Sequence, residues 1–207
     1  MSPVREKDPE KSRPRPAGRS TVVLASASPR RRELLRKIIP RFRVVPSRVD
    51  EGQFRDKDPE EFALRAAAAK AEAVGRKNPS SLTVAADTVV VLGAEMFGKP
   101  KSRTEARRML SRLSGREHKV ITVVVLYRHR DGRTASGVET SRVTFKTLSS
   151  SVIESYLKAV NCLDKAGAYA IQESGDALVE RLEGDYDNVV GLPLALLSRL
   201  LQRFEKV

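Results

Sequence analysis

The sequence predicts an α/β fold in which helices cover a mixed β-sheet. Segments with the apolar pattern of strands alternate along the chain with segments that carry helix-start signals. Two strand-like segments, 119–127 and 133–145, flank Asp131-Gly132, which is a strong signal for a hairpin turn. A hairpin requires an antiparallel pair, and interleaved helices favour parallel neighbours, so we expect both kinds of pairing in one sheet.

The first strand and helix form a candidate anion site. A β-branched run from residue 22 stops at Ser26 and Ser28, and an amphipathic helix follows. Pro29 suits the first helical position, and Ser28 can cap the free backbone N–H groups. The three arginines at 30–32 oppose the helix dipole, so a phosphate is the natural occupant. The alternative is an ordinary helix start with solvated arginines.

The next predicted elements are a strand and an alanine-rich helix. The strand spans 42–49, and Asp50-Glu51 closes it with adjacent carboxylates. Asp58-Pro59-Glu60-Glu61 supplies a cap, a first-turn proline and a capping-box glutamate for a helix that continues to about residue 76. Lys70 falls at the edge of its predicted buried stripe, which consists of Phe62, Ala66, Ala69 and Ala73.

Asp87 interrupts an otherwise apolar strand. A buried strand is predicted at 82–86, and Asp87-Thr88 stands where it should end or bend before 89–92. A buried carboxylate costs several kcal/mol unless it is paired or bound to metal. Asp87 is therefore either a turn aspartate at a strand end, or a general base or metal-linked carboxylate in a cleft, with Glu51 as the second candidate.

The second half of the chain continues the alternation. A turn at 93–100 presents Gly98-Lys99-Pro100, and Ser102 with Glu105 gives capping-box spacing to a helix at 103–113. The remaining elements predicted after the hairpin are a helix that begins at Ser151 with Glu154 and ends near 160, a loop at 164–172, a strand at 178–182, and a last helix that opens at 191–193 and ends near 204.

The composition limits the class of protein. The net charge of +13 suits nucleic acid, an anionic membrane surface or a polyanionic small substrate. One cysteine and two histidines nearly exclude a Cys/His zinc site, so a metal would be a hard cation on carboxylates. The sequence has neither a long apolar span nor a signal core, which predicts a cytoplasmic protein without membrane contact. Residues 1–19 are typical of a disordered basic tail, which leaves one domain at 20–207.

A series of motifs runs through the whole domain in a fixed order. They are Leu-Ala-Ser-x-Ser-Pro-Arg-Arg-x-Glu-Leu-Leu at 24–35, Asp50-Glu51, Lys70-Ala71, Ala86-Asp87-Thr88-Val89, Gly98-Lys99-Pro100, Leu113-Ser114-Gly115 with His118, Asp164-Lys165-Ala166-Gly167-Ala168-Tyr169 with Ile171-Gln172, and Gly184-Asp185-Tyr186 with Val190-Gly191-Leu192-Pro193. In this order and at this spacing, residues 21–205 resemble the Maf family.

The resemblance implies a fold and an activity. The fold would be the Maf/Ham1 (ITPase-like) one, an elongated mixed sheet with a central cleft between two lobes. The activity would be that of a homodimeric nucleoside triphosphate pyrophosphatase, which splits the α–β bond with Mg²⁺ or Mn²⁺. By position, Asp87 would activate water, Glu51 and Asp87 would hold the metal, and Lys70 and Lys99 would assist catalysis. The residues implied to line the phosphate site are Ser26, Arg30, Arg31, Lys70, Lys99 and Lys165.

Three positions resemble the branch of the family that hydrolyses dTTP and UTP: Arg30, Thr88 and Gln172. The Gln172 amide offers a donor and an acceptor that match O4 and N3–H of uracil or thymine, and a flipped amide could face cytosine. The branch that acts on 7-methyl-GTP has Ser-Pro-Trp, Asp-Gln and a Glu at these positions. This chain has no Trp to stack on a cationic purine.

The chain also departs from the family pattern. Asn161 stands where Glu is usual, Glu173 where Gly is usual, and Thr122-Val123 where Thr-Gly or Thr-Ala is usual. Loss of the acid at 161 is expected to weaken metal binding or to shift base preference. The alternative function is a non-catalytic nucleic-acid-binding or cell-division regulatory protein with the same fold. High positive charge favours it, and an aromatic content of 5% disfavours it, so a nucleic-acid partner is not expected.

Overall fold

The computed structural model describes residues 21–54 and 56–206, so the predicted tail at 1–19 lies outside the described residues. The strands and α-helices within those two ranges are β1 Val22–Leu24, α1 Pro29–Ile38, β2 Arg43–Val44, α2 Pro59–Gly75, β3 Leu82–Leu92, β4 Glu95–Phe97, α3 Arg103–Leu113, β5 Glu117–Arg128, β6 Arg133–Phe145, α4 Ser150–Ala159, β7 Val179–Glu183, α5 Tyr186–Val190 and α6 Leu194–Glu205. None of these helices combines the length and apolar character that crossing a bilayer requires.

The strands form one mixed sheet, which confirms the predicted fold class. Its order is β2-β1-β3-β5-β6-β7, and β4 pairs with β3 beside this path. β1 is parallel to both of its neighbours, β2 and β3, and every other pair is antiparallel. The predicted hairpin joins β5 to β6. Gly132 in its loop has a φ of 65°, a left-handed conformation that glycine adopts without steric cost.

β3 is the strand that positions the cleft. Along one edge it pairs with β5 from Thr83 to Val91. Along the other edge β1 pairs with residues 82–84 and β4 with residues 90–92, so no described strand covers 85–89. The predicted end or bend at Asp87-Thr88 is wrong, because the ladder with β5 holds β3 extended through both residues.

Side-chain alternation along β3 sorts the helices onto the two faces of the sheet. Residues 85, 89 and 91 pack in one cluster with α2. Residues 82, 84 and 86 face the other way and pack with α1 and α6, whereas Val90 on that second face packs with α3 and α4. The second face therefore carries two separate groups of helices, which are the two lobes that flank the cleft.

α2 buries a slightly different stripe from the predicted one. Its buried residues are Ala63, Ala66, Ala67, Lys70, Ala71, Val74 and Gly75. Phe62, Ala69 and Ala73 are only half-buried. The contact line is thus rotated by about one residue, and Lys70 lies in its centre instead of at its edge. The small side chains allow the helix to lie close to the sheet, since a Cβ on Gly75 would stand 2.6 Å from Tyr127.

Other boundaries also differ from the predictions. The strand predicted at 42–49 is limited to Arg43–Val44, because this edge strand pairs only with Val23 and Leu24 of the short strand β1. The cap of α4 is Ser149, whose Oγ accepts from the Val152 N–H, instead of Ser151. The predictions missed the short elements β4 and α5, and they gave the bounds of α3 correctly.

Candidate active site

A cleft of about 450 Å³ opens along the uncovered stretch of β3. It is bounded by the β1–α1 loop, the loop at 163–172 and the end of α5, and β3 forms its base. All ten residues that the sequence analysis selected line this cleft: Ser26, Arg30, Arg31, Glu51, Lys70, Asp87, Thr88, Lys99, Lys165 and Gln172. The structure thus brings together residues that lie up to 146 positions apart in the sequence, while their individual roles stay predictions.

Four charged side chains form a continuous network at the base of the cleft. The buried Lys70 ammonium lies 2.5 Å from Asp87 Oδ1 and 2.7 Å from Glu51 Oε1. Lys99 Nζ approaches the same Glu51 carboxylate, at 3.1 Å from Oε1 and 3.3 Å from Oε2. Lys70 reaches Asp87 because α2 packs on the face of β3 toward which the odd-numbered side chains point. We call these four residues the Asp87 network.

Burial separates the two carboxylates of this network chemically. Asp87 is 4% exposed, and burial raises its pKa; Lys70 opposes that shift and the Glu51 carboxylate adds to it. Burial also acts to raise the pKa of Glu51, but the attraction of Lys70 and Lys99 outweighs it and lowers that pKa to about 2. Glu51 is therefore a permanent anion near neutral pH, whereas Asp87 is the carboxylate with the greater proton affinity.

A series of hydrogen bonds fixes Arg31 on the opposite face of β3. Its Nε donates to the Gly191 carbonyl at 2.8 Å, and its Nη2 donates to Thr88 Oγ1 at 2.9 Å. Thr88 Oγ1 lies 2.9 Å from Thr122 Oγ1, which donates to the Asn188 carbonyl at 3.1 Å. Since Thr122 uses its hydrogen on that carbonyl, Thr88 donates to Thr122 and accepts from Arg31. The Thr88 hydroxyl thus helps to hold a guanidinium at the cleft.

The start of α1 has the predicted construction. Pro29 occupies the first turn, and Ser28 Oγ accepts from the Arg31 backbone N–H at 3.4 Å. The Ser28 backbone N–H in turn donates to Oγ of the buried Ser26 at 3.2 Å. The two serines therefore hold the loop that carries the helix N-terminus along the cleft.

Arg30 and Lys165 belong to what we call the four-charge cluster, together with Asp164 and Glu173. Arg30 Nη1 lies 3.3 Å from Asp164 Oδ2 and 3.5 Å from Glu173 Oε1. Lys165 Nζ lies 2.9 Å from Asp164 Oδ1 and 3.3 Å from Glu173 Oε1. Sequence reasoning selected the two cations and missed that both acids pair with them. For Arg30 the reason is that these contacts join α1 to residues more than 130 positions further along the chain.

Gln172 differs from the other candidates because it is exposed and has no side-chain hydrogen bond or ion pair within the described ranges. Gln172 lines the cleft and is next in sequence to Glu173 of the four-charge cluster. It is therefore available to a ligand.

A buried histidine supports the same loop and was not assigned a role from the sequence. His118 is 2% exposed, and its Nε2 lies 2.8 Å from the Tyr169 hydroxyl. Burial lowers the pKa of His118 to about 4, so the ring is neutral near pH 7. Tyr169 lines the cleft and packs edge-on against Phe145. The only sequence signal was the place of His118 in one of the motifs.

The donor set of the Asp87 network fits a divalent cation that arrives with a triphosphate. Glu51 and Asp87 each place a carboxylate oxygen within 2.7 Å of the Lys70 ammonium nitrogen, so the two carboxylates lie close together in the cleft. No group of three or more His, Cys, Asp or Glu residues gathers as a metal site in ranges 21–54 and 56–206. Mg²⁺ commonly binds through one or two protein carboxylates and the phosphates of a substrate. Glu51 and Asp87 can supply those two carboxylates.

The comparison with known proteins identifies the family of the chain. The sequence profile of the Maf-like protein family matches residues 21–204. The chain belongs to the Maf family. The match covers every element from β1 to α6 except the last residue of α6, Glu205.

Curated relatives align over nearly their full length. A dTTP/UTP pyrophosphatase from Clostridioides difficile is 44% identical over 183 residues, which are 88% of this chain and 94% of that protein. The proteins of the same name from Pyrococcus furiosus and Myxococcus xanthus are 42% and 47% identical, each over 90% of this chain and over 96% and 94% of their own lengths. Among solved structures, the Ham1 protein of Staphylococcus aureus has a TM-score of 0.45 and 16% identity, over 90% of this chain and 98% of that one.

Proposed function

We propose that this protein is a nucleoside triphosphate pyrophosphatase that hydrolyses the α–β bond of dTTP and UTP. The observation that carries the proposal is the Asp87 network, in which a buried carboxylate with a raised pKa lies in a cleft lined by cations. The names of the curated relatives support the same activity.

The proposed reaction starts at Asp87. A general base works best when its pKa lies near the operating pH, and burial shifts Asp87 in that direction. Its carboxylate accepts a proton from water, and the water oxygen bonds to the α-phosphorus. The bond from the α-phosphorus to the bridging oxygen breaks, which gives a nucleoside monophosphate and pyrophosphate. Lys70, at 2.5 Å, holds the carboxylate in place.

The cations of the cleft supply the stabilisation that phosphoryl transfer needs. Charge accumulates on the departing pyrophosphate as the bond breaks, and fixed positive groups stabilise that charge without reorganising. Lys99, Arg30, Arg31 and Lys165 all line the cleft. Arg31 is held in advance by Thr88 and the Gly191 carbonyl, so it loses little side-chain entropy when the substrate binds.

Glu51 and Asp87 are the residues we propose to hold Mg²⁺ or Mn²⁺. When bound, the cation neutralises charge on the phosphate oxygens and orients them. Glu51 suits this role because its pKa of about 2 keeps it ionised.

The proposed base preference rests on Gln172, which presents both a donor and an acceptor at the edge of the cleft. Thr88 contributes indirectly, since its hydroxyl is engaged with Arg31 and Thr122. The resemblance to the Maf family further supports a homodimer in the cytoplasm, which gel filtration and cell fractionation would test. The alternative, a non-catalytic nucleic-acid-binding or regulatory protein, has no support in the names of the relatives reported above.

The decisive experiment incubates the purified protein with the common nucleoside triphosphates and 7-methyl-GTP, with Mg²⁺ or Mn²⁺. Pyrophosphate and orthophosphate are detected separately. Release of pyrophosphate from dTTP and UTP with the highest kcat/KM supports the proposal. Release of orthophosphate alone, or no release from any nucleotide, contradicts the activity, and fastest turnover of a purine contradicts the base assignment.

A further inference from the structure

The four-charge cluster contains two acids that the proposed reaction does not use. Asp164 and Glu173 each contact both Arg30 and Lys165, at distances between 2.9 and 3.5 Å. The two acids are 45% and 37% exposed, whereas Lys165 is 4% exposed. Both carboxylates are thus more exposed than Lys165; Asp164 itself lines the cleft, and Glu173 contacts two cations that line it.

The contacts of Lys165 leave it no spare donor. An ammonium has three N–H groups, and the Lys165 Nζ group donates to the Asn161 carbonyl and to Asp164 Oδ1 and forms an ion pair with Glu173. A phosphate oxygen can bind this ammonium only if one of the three partners gives way.

Of the three partners of Lys165, Glu173 is the one whose contact is broken at the lowest cost in free energy. Asn161 and Asp164 are closer to Lys165 in the chain than Glu173 is, at four residues and one residue against eight. Glu173 makes the longer contact with each cation, at 3.3 Å to Lys165 and 3.5 Å to Arg30. If Glu173 moves away, Arg30 still donates hydrogen bonds to the side chain and to the backbone carbonyl of Asp164.

We propose that Glu173 is an internal competitor of the substrate. Its carboxylate occupies Arg30 and Lys165 in the free enzyme, and the polyphosphate of a nucleotide displaces it. Glu173 thereby lowers the affinity of the cleft for polyphosphates. The inference rests on the proposed function for the identity of the substrate. The competition for Arg30 and Lys165, however, applies to any polyphosphate.

This role is distinct from one in positioning the cations. When Glu173 is neutralised, Asp164 still holds Arg30 and Lys165, so both cations stay in place and gain attraction for phosphate. A positioning role would give the opposite result, since loss of Glu173 would then release the cations and weaken binding. The direction of the change in affinity separates the two roles.

The test compares Glu173→Gln and Glu173→Ala with the wild type. Glu72→Gln is the matched control, because it removes the same charge from an exposed glutamate of α2, which pairs with Arg76 just after the end of that helix. Titration calorimetry with inorganic pyrophosphate measures affinity without turnover, and steady-state kinetics with dTTP measures KM and kcat. Both Glu173 variants are expected to bind pyrophosphate about fivefold more tightly and to show a KM about fivefold lower, with kcat little changed. The control should match the wild type in each measurement.

The outcomes separate the inference from the proposed function. Unchanged or weaker pyrophosphate binding in the two Glu173 variants overturns the inference, even if the wild type hydrolyses dTTP. Equal tightening in Glu72→Gln also overturns it, because the effect would then follow net charge alone. Tighter pyrophosphate binding only in the Glu173 variants supports it, even if no nucleotide is hydrolysed and the proposed function fails.

Discussion

Replacing Asp87 with Asn tests the centre of the proposed mechanism. The change removes the proton acceptor and keeps the size and shape of the side chain. General bases contribute about 10²- to 10⁴-fold to rate, so we expect kcat to fall about 10³-fold, or roughly 4 kcal/mol in the barrier. Nucleotide binding should survive, because the cations that line the cleft are untouched.

The structure also predicts that this variant folds. Removing one partner of a buried ion pair costs about 3–5 kcal/mol when it leaves an unpaired charge. Lys70 keeps Glu51 at 2.7 Å in the Asn variant, and the cost of burying the Asp87 carboxylate disappears. We therefore expect the free energy of unfolding to fall by less than about 2 kcal/mol. Removing Glu51 as well would leave Lys70 without its acidic partners in the network and should cost more than the two single changes together.

The assay measures pyrophosphate release, nucleotide affinity by calorimetry and stability by urea unfolding in the same preparations. Asp176→Asn is the control, because Asp176 is exposed and lies outside the set of residues that line the cleft. A kcat for Asp87→Asn within tenfold of the wild type would refute the assignment of Asp87 as the base. Loss of both binding and folding would refute the argument that Glu51 compensates Lys70.

Three further changes test the surroundings of this network. At pH 7, Glu51→Gln should have a free energy of unfolding lower than that of the wild type by at most about 3 kcal/mol, since partial exposure of Glu51 reduces the effect. Because the pKa of Glu51 is depressed in the folded state, this difference should vanish as the pH falls from about 4.5 to about 2. Urea unfolding of both proteins across that pH range measures the difference. Gln172→Glu should change the ranking of kcat/KM among nucleotides, because a carboxylate cannot donate to O4, and an unchanged ranking would exclude Gln172 from base recognition. Tyr169→Phe should lower the free energy of unfolding by about 1–2 kcal/mol, since the buried His118 Nε2 loses its partner, and an unchanged urea midpoint would contradict this.

Local signals predicted those parts of the fold that local physics determines. The start of α1 at Pro29, the bounds of α3 and the hairpin at Gly132 each depend on a few adjacent residues, and each is confirmed. β2 and β3 were predicted less well because their lengths depend on distant partners. β2 is short because β1 offers it only a brief partner, and β3 is long because β5 pairs along it.

The site shows the same division between local and non-local causes. Residue type identified the candidate acids and cations. A carboxylate inside an apolar strand, for example, is costly to bury unless it is paired, and this holds wherever the strand lies in the fold. Which acid pairs with which cation depends on contacts between elements far apart in the chain, as between Arg30 and Asp164. The sequence therefore predicted a phosphate cradle but could not predict that Glu173 partly neutralises it.

The position of Asp87 follows from the sheet pairing around it. β3 has one complete neighbour and two partial ones, so a cleft opens at the stretch where neither β1 nor β4 covers its edge. Adjacent residues of an extended strand point to opposite faces, which directs Asp87 toward Lys70 on α2 and Thr88 toward Arg31 on α1. One dipeptide thereby connects cations from both sides of the sheet to the same opening. A one-residue shift in the β3–β5 register would exchange the two faces and separate Asp87 from Lys70, so the long antiparallel ladder is as necessary to the site as the charged residues themselves.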